Sequence, residues 1–447
     1  MLRRLGIVIL SAILTLGGLF AAPSPARAAE STPATVYYWN DTLLELFRRS
    51  PGAAPGPLSR AGAMLHAGLF DVINTGWWAH RNWLGTGYNS NYYSGWRLFD
   101  ATIDDDLAAG IFAHDMLIEL FPAEQAYVAQ RFADRHGTTD EHFARRLANR
   151  TFDAIMATRA TDRSTADPGY TPDGVAGSWR PTGNPACTAV TPHWGQVVPF
   201  TMSSGSDYRP ALPGRVTTYA ALLRNSTYTS QLTEVRNLGR RDSTTRTAAQ
   251  TATAHFWNND AAGSYRTPGQ LLAHTQAVAQ RASFSGDGMR VSRLFAMVAQ
   301  ALGDAAIAAW DAKYLTAVDV WRPETAIQLH ATSPDAAWRP LVTTPCSPAH
   351  VSANATLAAA WSGAAQFVVG SNSFSFTAGT EDPQAAGATR AFTSFTQAAS
   401  ENAVSRVYAG VNFRFATANG LTLGYDVADR VTGTRMFNLV APGGPEG

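Results

Sequence analysis

Ser405-Arg406-Val407-Tyr408-Ala409-Gly410-Val411-Asn412-Phe413-Arg414-Phe415 is the stretch from which the rest of the chain can be interpreted. It follows an Ala-rich segment and precedes a helix-like segment, residues 421–431. Arg406 and Arg414 lie on either side of a glycine and an asparagine. A guanidinium group donates two parallel hydrogen bonds to an oxyanion, although two isolated arginines are more often solvated surface charges. The stretch therefore predicts an oxyanion site only if other segments join it.

Two upstream segments qualify as partners. The first, residues 311–327, contains Arg322 and Lys313, which is the only lysine in the chain. A compact ammonium group suits a point contact with a negative charge. The second, residues 345–356, runs from a proline-punctuated loop into an Ala-rich helix, with Ser352 at the junction. A serine there caps free backbone N–H groups, and a helix N-terminus attracts anions.

These three segments, in this order, resemble the vanadium-dependent haloperoxidases and the related phosphatidic-acid-phosphatase-type acid phosphatases. The family pattern is a Lys and an Arg-Pro, then Pro-Ser-Gly-His, then Ser-Arg followed by a His. Residues 58–74, 200–212, 237–257 and 302–327 also resemble the actinobacterial branch of the haloperoxidases. The likeness covers nearly the whole mature chain, and it implies an all-α helix bundle of two packed halves.

The resemblance assigns an oxyanion cradle to Lys313, Arg322, Ser352, Ala353 and Arg406. Two departures matter. Asn354 and Asn412 stand where the family has its two histidines, and the Lys313–Arg322 spacing is longer by two residues. In a haloperoxidase the second histidine bonds to vanadium, and in a phosphatase it attacks phosphorus. An amide nitrogen has no available lone pair and asparagine moves no proton near neutral pH, so both ordinary activities are disfavoured.

Three functions stay open. We favour an enzyme that performs non-redox chemistry, as a lyase, isomerase or cyclase, on a phosphorylated or diphosphorylated lipid-like substrate. A diphosphate would bring Mg²⁺ with it. The second function is halide oxidation with vanadate held loosely by the cradle, and the third is a binding protein without turnover. In all three the partner is a small molecule or an oxyanion.

Several residues near the motifs have two interpretations. His350 and His330 are candidates to replace the lost histidines, although neither matches a family position and each is more often a loop or surface histidine. The cradle's cations either bind an anion or are neutralised internally, by Asp311, Asp319 or Glu324. Asp104-Asp105-Asp106 is better explained by acidic residues opening a helix than by a metal site, and no metal ligand set is predicted.

Composition and the N-terminus indicate the compartment. Residues 1–28 have a basic start, an apolar run and a small-x-small site, which predicts a signal peptide and a secreted protein; a membrane anchor is the alternative. No later run is apolar and long enough to span a bilayer. The formal net charge of +1 gives no support for nucleic acid as a partner. Cys187 and Cys346 are the only cysteines, and an exported pair predicts one disulfide rather than two free thiols.

Hydrophobic periodicity indicates helices through most of the chain. The predicted organisation is an N-terminal helical half (29–165), an irregular connecting region (166–215) and a C-terminal half that holds the oxyanion pocket (216–447). Predicted helices span 58–73, 101–121, 125–135, 142–157, 244–257, 291–312, 353–367, 389–408 and 420–437. No strong alternating pattern predicts a strand. The aromatic segment 77–96 is predicted to pack under a long loop or to line an apolar pocket.

Overall fold

The structure is a computed structural model that describes residues 33–77, 104–139, 141–166, 168–182 and 187–434. The predicted signal peptide, residues 1–28, lies outside these ranges. So does the aromatic segment after Trp77. Within them the chain is 61% helical, with fourteen α-helices and a single two-stranded sheet. The prediction of an all-α, helix-bundle fold is confirmed.

Five helices belong to the N-terminal part: α1 (Pro33–Arg48), α2 (Pro55–Trp77), α3 (Asp105–Leu120), α4 (Gln125–His136) and α5 (His142–Arg159). Among its described residues the segment from 160 to 218 contains two short 3-10 turns and one isolated antiparallel bridge, between Ser178 and Val320. The remaining helices are α6 (Tyr219–Arg224), α7 (Ser226–Leu238), α8 (Ala248–Phe256), α9 (Arg266–Arg281), α10 (Gly288–Tyr314), α11 (Pro323–Gln328), α12 (Ala353–Val369), α13 (Phe395–Tyr408) and α14 (Arg414–Thr432).

Helix α10 is the centre of the fold. It runs for 27 residues, is buried along nearly its whole length, and packs against α2, α9, α12 and α14. Its many alanines have only methyl side chains, so the neighbouring helices approach the α10 backbone closely. Among the described residues it is the one helix long and apolar enough to cross a membrane, and 94% of its most apolar window is buried inside the protein. That burial is typical of a core helix, and the C-terminal end of α10 presents Lys313.

Helices α12 and α14 carry two of the motifs at their N-terminal ends and form the most extensive helix–helix contact of the fold. The contact is close because α14 has a glycine, Gly424, against the backbone of α12. A Cβ atom on Gly424 would lie 2.7 Å from the Cβ of Ala359 and 2.9 Å from the backbone nitrogen of Ala360. Only a residue without a side chain fits at this separation, and the separation sets the distance between the two motif segments.

A β-hairpin was missed by the sequence prediction. Strand β1 (Ser373–Gly379) pairs with β2 (Thr389–Ser394) in antiparallel fashion, and Phe376 lies opposite Phe392. The predicted helix 389–408 is therefore wrong over its first six residues. Helix α13 begins at Phe395, where the Ser394 side chain accepts a hydrogen bond from a backbone N–H of the first turn. Both phenylalanines are buried against the core, which holds the hairpin in place.

Candidate functional site

The three motif segments converge on one cavity of about 770 Å³. Lys313 reaches it from the end of α10, Arg322 from the N-terminus of α11, and Arg406 from the last turn of α13. Three more of the predicted site residues line this cavity: Ala353, Asn354 and Asn412. Ser352 is not one of the described residues that line it.

Lys313 is almost fully buried, and its Nζ donates a hydrogen bond to the carbonyl oxygen of Pro348 at 2.6 Å. Burial lowers the pKa of this amine well below its ordinary value, and the positive charges of Arg322 and Arg406 lower it further. An anion in the cavity would reverse these effects, because it would stabilise the charged ammonium form.

Arg322 is held by backbone and serine oxygens rather than by a carboxylate. Its Nε donates to the carbonyl of Ser347 at 2.6 Å, its Nη2 donates to the Ser347 hydroxyl at 2.9 Å, and its Nη1 donates to the carbonyl of Val411 at 2.9 Å. Burial, followed by the charge of Arg406, lowers the pKa of the guanidinium to about 9. The side chain is therefore fixed in position without having its charge neutralised.

Arg406 is the least satisfied of the three cations. It is 1% exposed, and its one hydrogen bond within the described chain runs from Nη1 to the Asn258 side-chain oxygen at 3.4 Å. Its Nε and Nη2 are buried without a hydrogen-bond partner among the described residues. Burial lowers the pKa of Arg406, and the carboxylates of Asp260 and Asp382 oppose that effect.

The carboxylates that were candidates to neutralise these cations are engaged elsewhere. Asp311 pairs with Arg209 at 2.6 and 2.8 Å. Asp319 accepts a hydrogen bond from the Tyr170 hydroxyl at 2.6 Å, and Glu324 accepts one from the Thr344 hydroxyl at 2.5 Å. The internal-pairing alternative therefore finds no support in these three residues.

The second arginine of the opening stretch, Arg414, is not part of the cavity. Its Nε donates to Glu234 at 3.0 Å, and its side chain is 43% exposed. The interpretation of a solvated surface charge therefore applies to Arg414 and not to Arg406.

The two asparagines that the sequence resemblance predicted at histidine positions, Asn354 and Asn412, both have hydrogen-bond partners. The Asn412 amide nitrogen donates to the carbonyl of Ala349 at 2.7 Å, and the Asn354 amide nitrogen donates to the hydroxyl of Thr267 at 3.1 Å. Ser352 caps α12: its hydroxyl accepts from the backbone N–H of Ala355 at 3.5 Å. The hydroxyl therefore orders the helix N-terminus beside the cavity.

Neither histidine proposed as a substitute reaches this cavity. His350 lines a separate cavity of about 320 Å³, where its Nε2 lies 2.9 Å from the amide nitrogen of Asn419. Burial, followed by the charge of Lys313, lowers the pKa of His350 to about 3. His330 accepts hydrogen bonds from the backbone N–H groups of Thr332 and Ser333 in a turn.

Sequence reasoning missed the opposite wall of the cavity. His255 lies in the last turn of α8, Asn258 and Asp260 follow that helix, and Asp382 comes from the segment after β1. The Asn258 amide nitrogen donates to Asp382 at 2.8 Å. No local motif marks these residues, because only the packing of α8 against α13 brings this wall beside Arg406.

The acidic triplet is structural. Asp104 caps α3, with its side chain accepting from the backbone N–H of Leu107 at 3.0 Å, and Asp106 pairs with Arg135 at 2.6 Å. Within the described residues no group of three His, Cys, Asp or Glu side chains is placed to hold a metal ion.

Cys187 and Cys346 form a disulfide across 159 residues, with Cα atoms 5.9 Å apart. The bond ties the loop before α12 to the connecting region. Two further contacts hold the same loop: the carbonyl of Cys346 accepts hydrogen bonds from the Val190 backbone and, at 3.4 Å, from the Tyr314 hydroxyl. This loop supplies the oxygens that position Lys313, Arg322 and Asn412.

Comparisons with known proteins agree with this fold. Residues 293–438 match the family described as the VCPO second helical-bundle domain. A bacterial vanadium-dependent iodoperoxidase is similar in structure, with a TM-score of 0.73 and 22% identity over 91% of this chain and 98% of that chain. A bacterial vanadium-dependent chloroperoxidase is similar in its holo form (TM-score 0.66, 16% identity, 86% and 95% covered) and in its apo form (0.67, 15%, 86% and 94%).

No curated protein matches the sequence. The fold is that of the vanadium haloperoxidase-like superfamily, as the motifs predicted. Residues 293–438, which contain the cradle's residues, are the part of the chain that matches the VCPO second helical-bundle domain.

Proposed function

We propose that the cavity binds the phosphate or diphosphate group of an organic ester, and that the protein performs non-redox chemistry on this substrate as a lyase, isomerase or cyclase. The observation that carries the proposal is Arg406, a fully buried guanidinium whose Nε and Nη2 have no hydrogen-bond partner among the described residues. Buried N–H groups of a cation are costly to leave unpaired, and the oxygens of a tetrahedral anion are the partners that a guanidinium binds best.

The charges of the cavity support the same ligand. The charges of Arg322 and Arg406 lower the pKa of Lys313, and the charge of Arg406 lowers the pKa of Arg322. Each buried ion costs several kcal/mol when it is uncompensated. Asp260 and Asp382 offset part of the charge at Arg406. One bound phosphate or diphosphate would compensate all three cations at once.

The apolar part of the cavity lining supports a substrate ester with an apolar body. A volume of about 770 Å³ is within the range of small-molecule sites and leaves room beyond a phosphate group. Small and apolar residues are part of the lining, beside the charged Arg241 and Arg266: Pro51, Ala53, Ala54, Pro55, Leu341, Val342, Pro345 and Pro383. A lipid-like chain would contact these apolar residues while its anionic end lies on the cations.

The cations of the cavity could hold the oxygens of vanadate, but the asparagine at position 412 cannot supply the nitrogen–vanadium bond that a histidine makes in a haloperoxidase. At position 412 the amide nitrogen already donates to the carbonyl of Ala349, and an amide nitrogen has no available lone pair. Position 412 therefore offers no bond to vanadium, and we expect halide oxidation to be weak or absent.

Thermal unfolding of the mature protein with phosphate, diphosphate or vanadate, at constant ionic strength, tests the binding. A ligand at 100 times its Kd stabilises the folded state by about 2.7 kcal/mol. Arg406→Ala should abolish the ligand-induced rise in unfolding temperature. Arg406→Lys should reduce it, because lysine keeps the positive charge but lacks the planar guanidinium group that donates two parallel hydrogen bonds. Arg414→Ala is the matched control, since it removes an arginine that lies outside the cavity. An unmodified protein that shows no shift with any of these anions contradicts the proposal.

Turnover is tested separately. The purified protein is offered phosphate and diphosphate esters in one series, and vanadate, peroxide and halide in the other. Conversion of an ester supports the proposal, whereas vanadate-dependent bromination would assign the haloperoxidase alternative. Anion binding without conversion of any ester would assign a binding protein.

A further inference from the structure

The wall formed by His255, Asn258, Asp260 and Asp382 contains an imidazole that the binding of an anion leaves unused. His255 is the one histidine among the described residues that line the cavity. It lies three residues before Asn258, whose side-chain oxygen accepts from Arg406 at 3.4 Å. The imidazole is thus placed beside the same space as the unpartnered N–H groups of Arg406.

His255 is half-buried, and its Nδ1 is buried without a hydrogen-bond partner among the described residues. The Nδ1 of His274 is also buried without a partner among the described residues, so this feature alone does not distinguish His255. What distinguishes His255 is its place: it lines the cavity, whereas His274 does not line it and has its Nε2 2.9 Å from the carbonyl oxygen of Gly379.

The charged neighbours of His255 set its protonation. Burial lowers the pKa of the imidazole, the carboxylate of Asp382 raises it, and the guanidinium of Arg246 lowers it. Arg246 is fixed by hydrogen bonds to the carbonyls of Leu238 and Arg240. Arg406 and Asp260 share the cavity with the imidazole. The ring is therefore neutral near neutral pH, with a carboxylate close enough to stabilise its charged form.

We infer that His255 is the proton-transfer residue of this cavity, acting on a substrate whose phosphate or diphosphate group lies on Arg406. The inference rests on the proposed function. The neutral imidazole takes a proton from a C–H or O–H group of the substrate, so that this bond breaks and an N–H bond forms. The electron pair of the broken bond stays on the substrate, where it forms the new π or σ bond.

The proton then returns. In an isomerisation it goes back to another atom of the product. In a lyase reaction the C–O bond to the phosphate breaks as the π bond forms, its electron pair leaves with the phosphate oxygen, whose negative charge the cradle holds, and the proton goes to that oxygen. Asp382 stabilises the imidazolium between the two transfers. His255 thereby takes the acid–base role that Asn354 and Asn412 cannot fill.

Nuclear magnetic resonance of the mature protein with ¹⁵N-labelled histidine tests the placement, using inorganic phosphate as the probe. His255→Gln assigns the signal, and calorimetry measures phosphate binding in parallel. Saturation with phosphate should raise the titration midpoint of His255 by about half a pH unit or more, because a nearby anion favours the imidazolium. His330, which lies in a turn outside the cavity, is the internal control and should not move.

The outcomes are distinguishable. Phosphate that binds without moving the His255 midpoint overturns the inference and leaves the proposed function standing. Phosphate that does not bind overturns the proposed function, and the inference with it. With an ester that the protein converts, His255→Gln should lower kcat by about 10²–10⁴-fold with KM nearly unchanged. It should also remove the rise of kcat with pH on the acidic side of the profile. An unchanged kcat contradicts the inference even if the midpoint moves.

Discussion

Replacing Gly424 by alanine tests whether the close approach of α12 and α14 is required by the fold. The added Cβ would lie 2.7 Å from the Cβ of Ala359 and would collide with the backbone carbonyl of Thr356. Ordinary contact begins at 3.4 Å, so the two helices must separate by about 0.7 Å or more. Because backbone atoms oppose the new methyl group, no side-chain rotation relieves the collision.

Two opposing contributions to the free energy of unfolding decide whether Gly424→Ala stabilises or destabilises the protein. Alanine in a helix interior is favoured over glycine by about 0.5–1 kcal/mol. Overpacking a close contact costs about 1–3 kcal/mol, and the rigid backbone opposite Gly424 puts this substitution at the upper end. We expect a net loss of about 2–2.5 kcal/mol. With an unfolding entropy of about 2.1 cal/mol/K per residue, this lowers the unfolding temperature of a 447-residue chain by about 2–3 °C.

Gly62→Ala is the control, since Gly62 also lies inside a helix but an added Cβ would meet only the ends of two side chains, Leu272 at 3.3 Å and Leu43 at 3.9 Å. Because a flexible side chain can move aside, the higher helix propensity of alanine decides the outcome. The unfolding temperature of Gly62→Ala should therefore equal or exceed that of the unmodified protein. Both variants are measured by thermal unfolding with the disulfide intact. If Gly424→Ala unfolds at the same temperature as Gly62→Ala, or above the unmodified protein, the argument from helix separation is wrong.

Three further predictions concern stability. Replacing Cys187 and Cys346 together by serine should cost about 2–5 kcal/mol, and a reductant should lower the unfolding temperature of the unmodified protein but not of the double variant. Asp304→Ala should cost more than about 3 kcal/mol, since this buried carboxylate accepts from the N–H groups of residues 200–202 and from the Thr201 hydroxyl at 2.6 Å; an unfolding temperature near that of the unmodified protein would refute this. Burial and the charge of Asp104 raise the pKa of Asp105 to about 7, so the folded state holds an extra proton and its stability falls as the pH rises through about 7; Asp105→Asn should therefore raise the unfolding temperature more at pH 8 than at pH 5, and an equal effect at both would contradict the assignment.

The motifs were readable from the sequence because each depends on local chemistry. Ser352 precedes an Ala-rich run and caps α12, as a serine before a helical pattern indicates. Lys313, Arg322 and Arg406 were recognised by residue type and order, and all three line one cavity. Neither the protein's exported location nor its reaction is decided by these contacts, and both stay predictions.

What could not be read depends on tertiary packing. His255 sits between an alanine and a phenylalanine in a short helix, and no spacing relates it to Arg406, 151 positions later. Its role follows only from the way α8 packs on α13. The β-hairpin is different, because the alternation Ser373-Phe374-Ser375-Phe376 is present in the sequence. Its signal is one short strand, too brief to outweigh the helical pattern around it.

The loop at 347–349 has a consequence for how such a site changes during evolution. Lys313, Arg322 and Asn412 are positioned mainly by the backbone carbonyls of residues 347–349, which every amino acid supplies. Substitutions of similar size at positions 348 and 349 therefore leave the cations where they are, whereas deletion of a single residue would move every carbonyl out of reach. Lineages that share this pocket should therefore conserve the length of the segment more strictly than its amino-acid sequence.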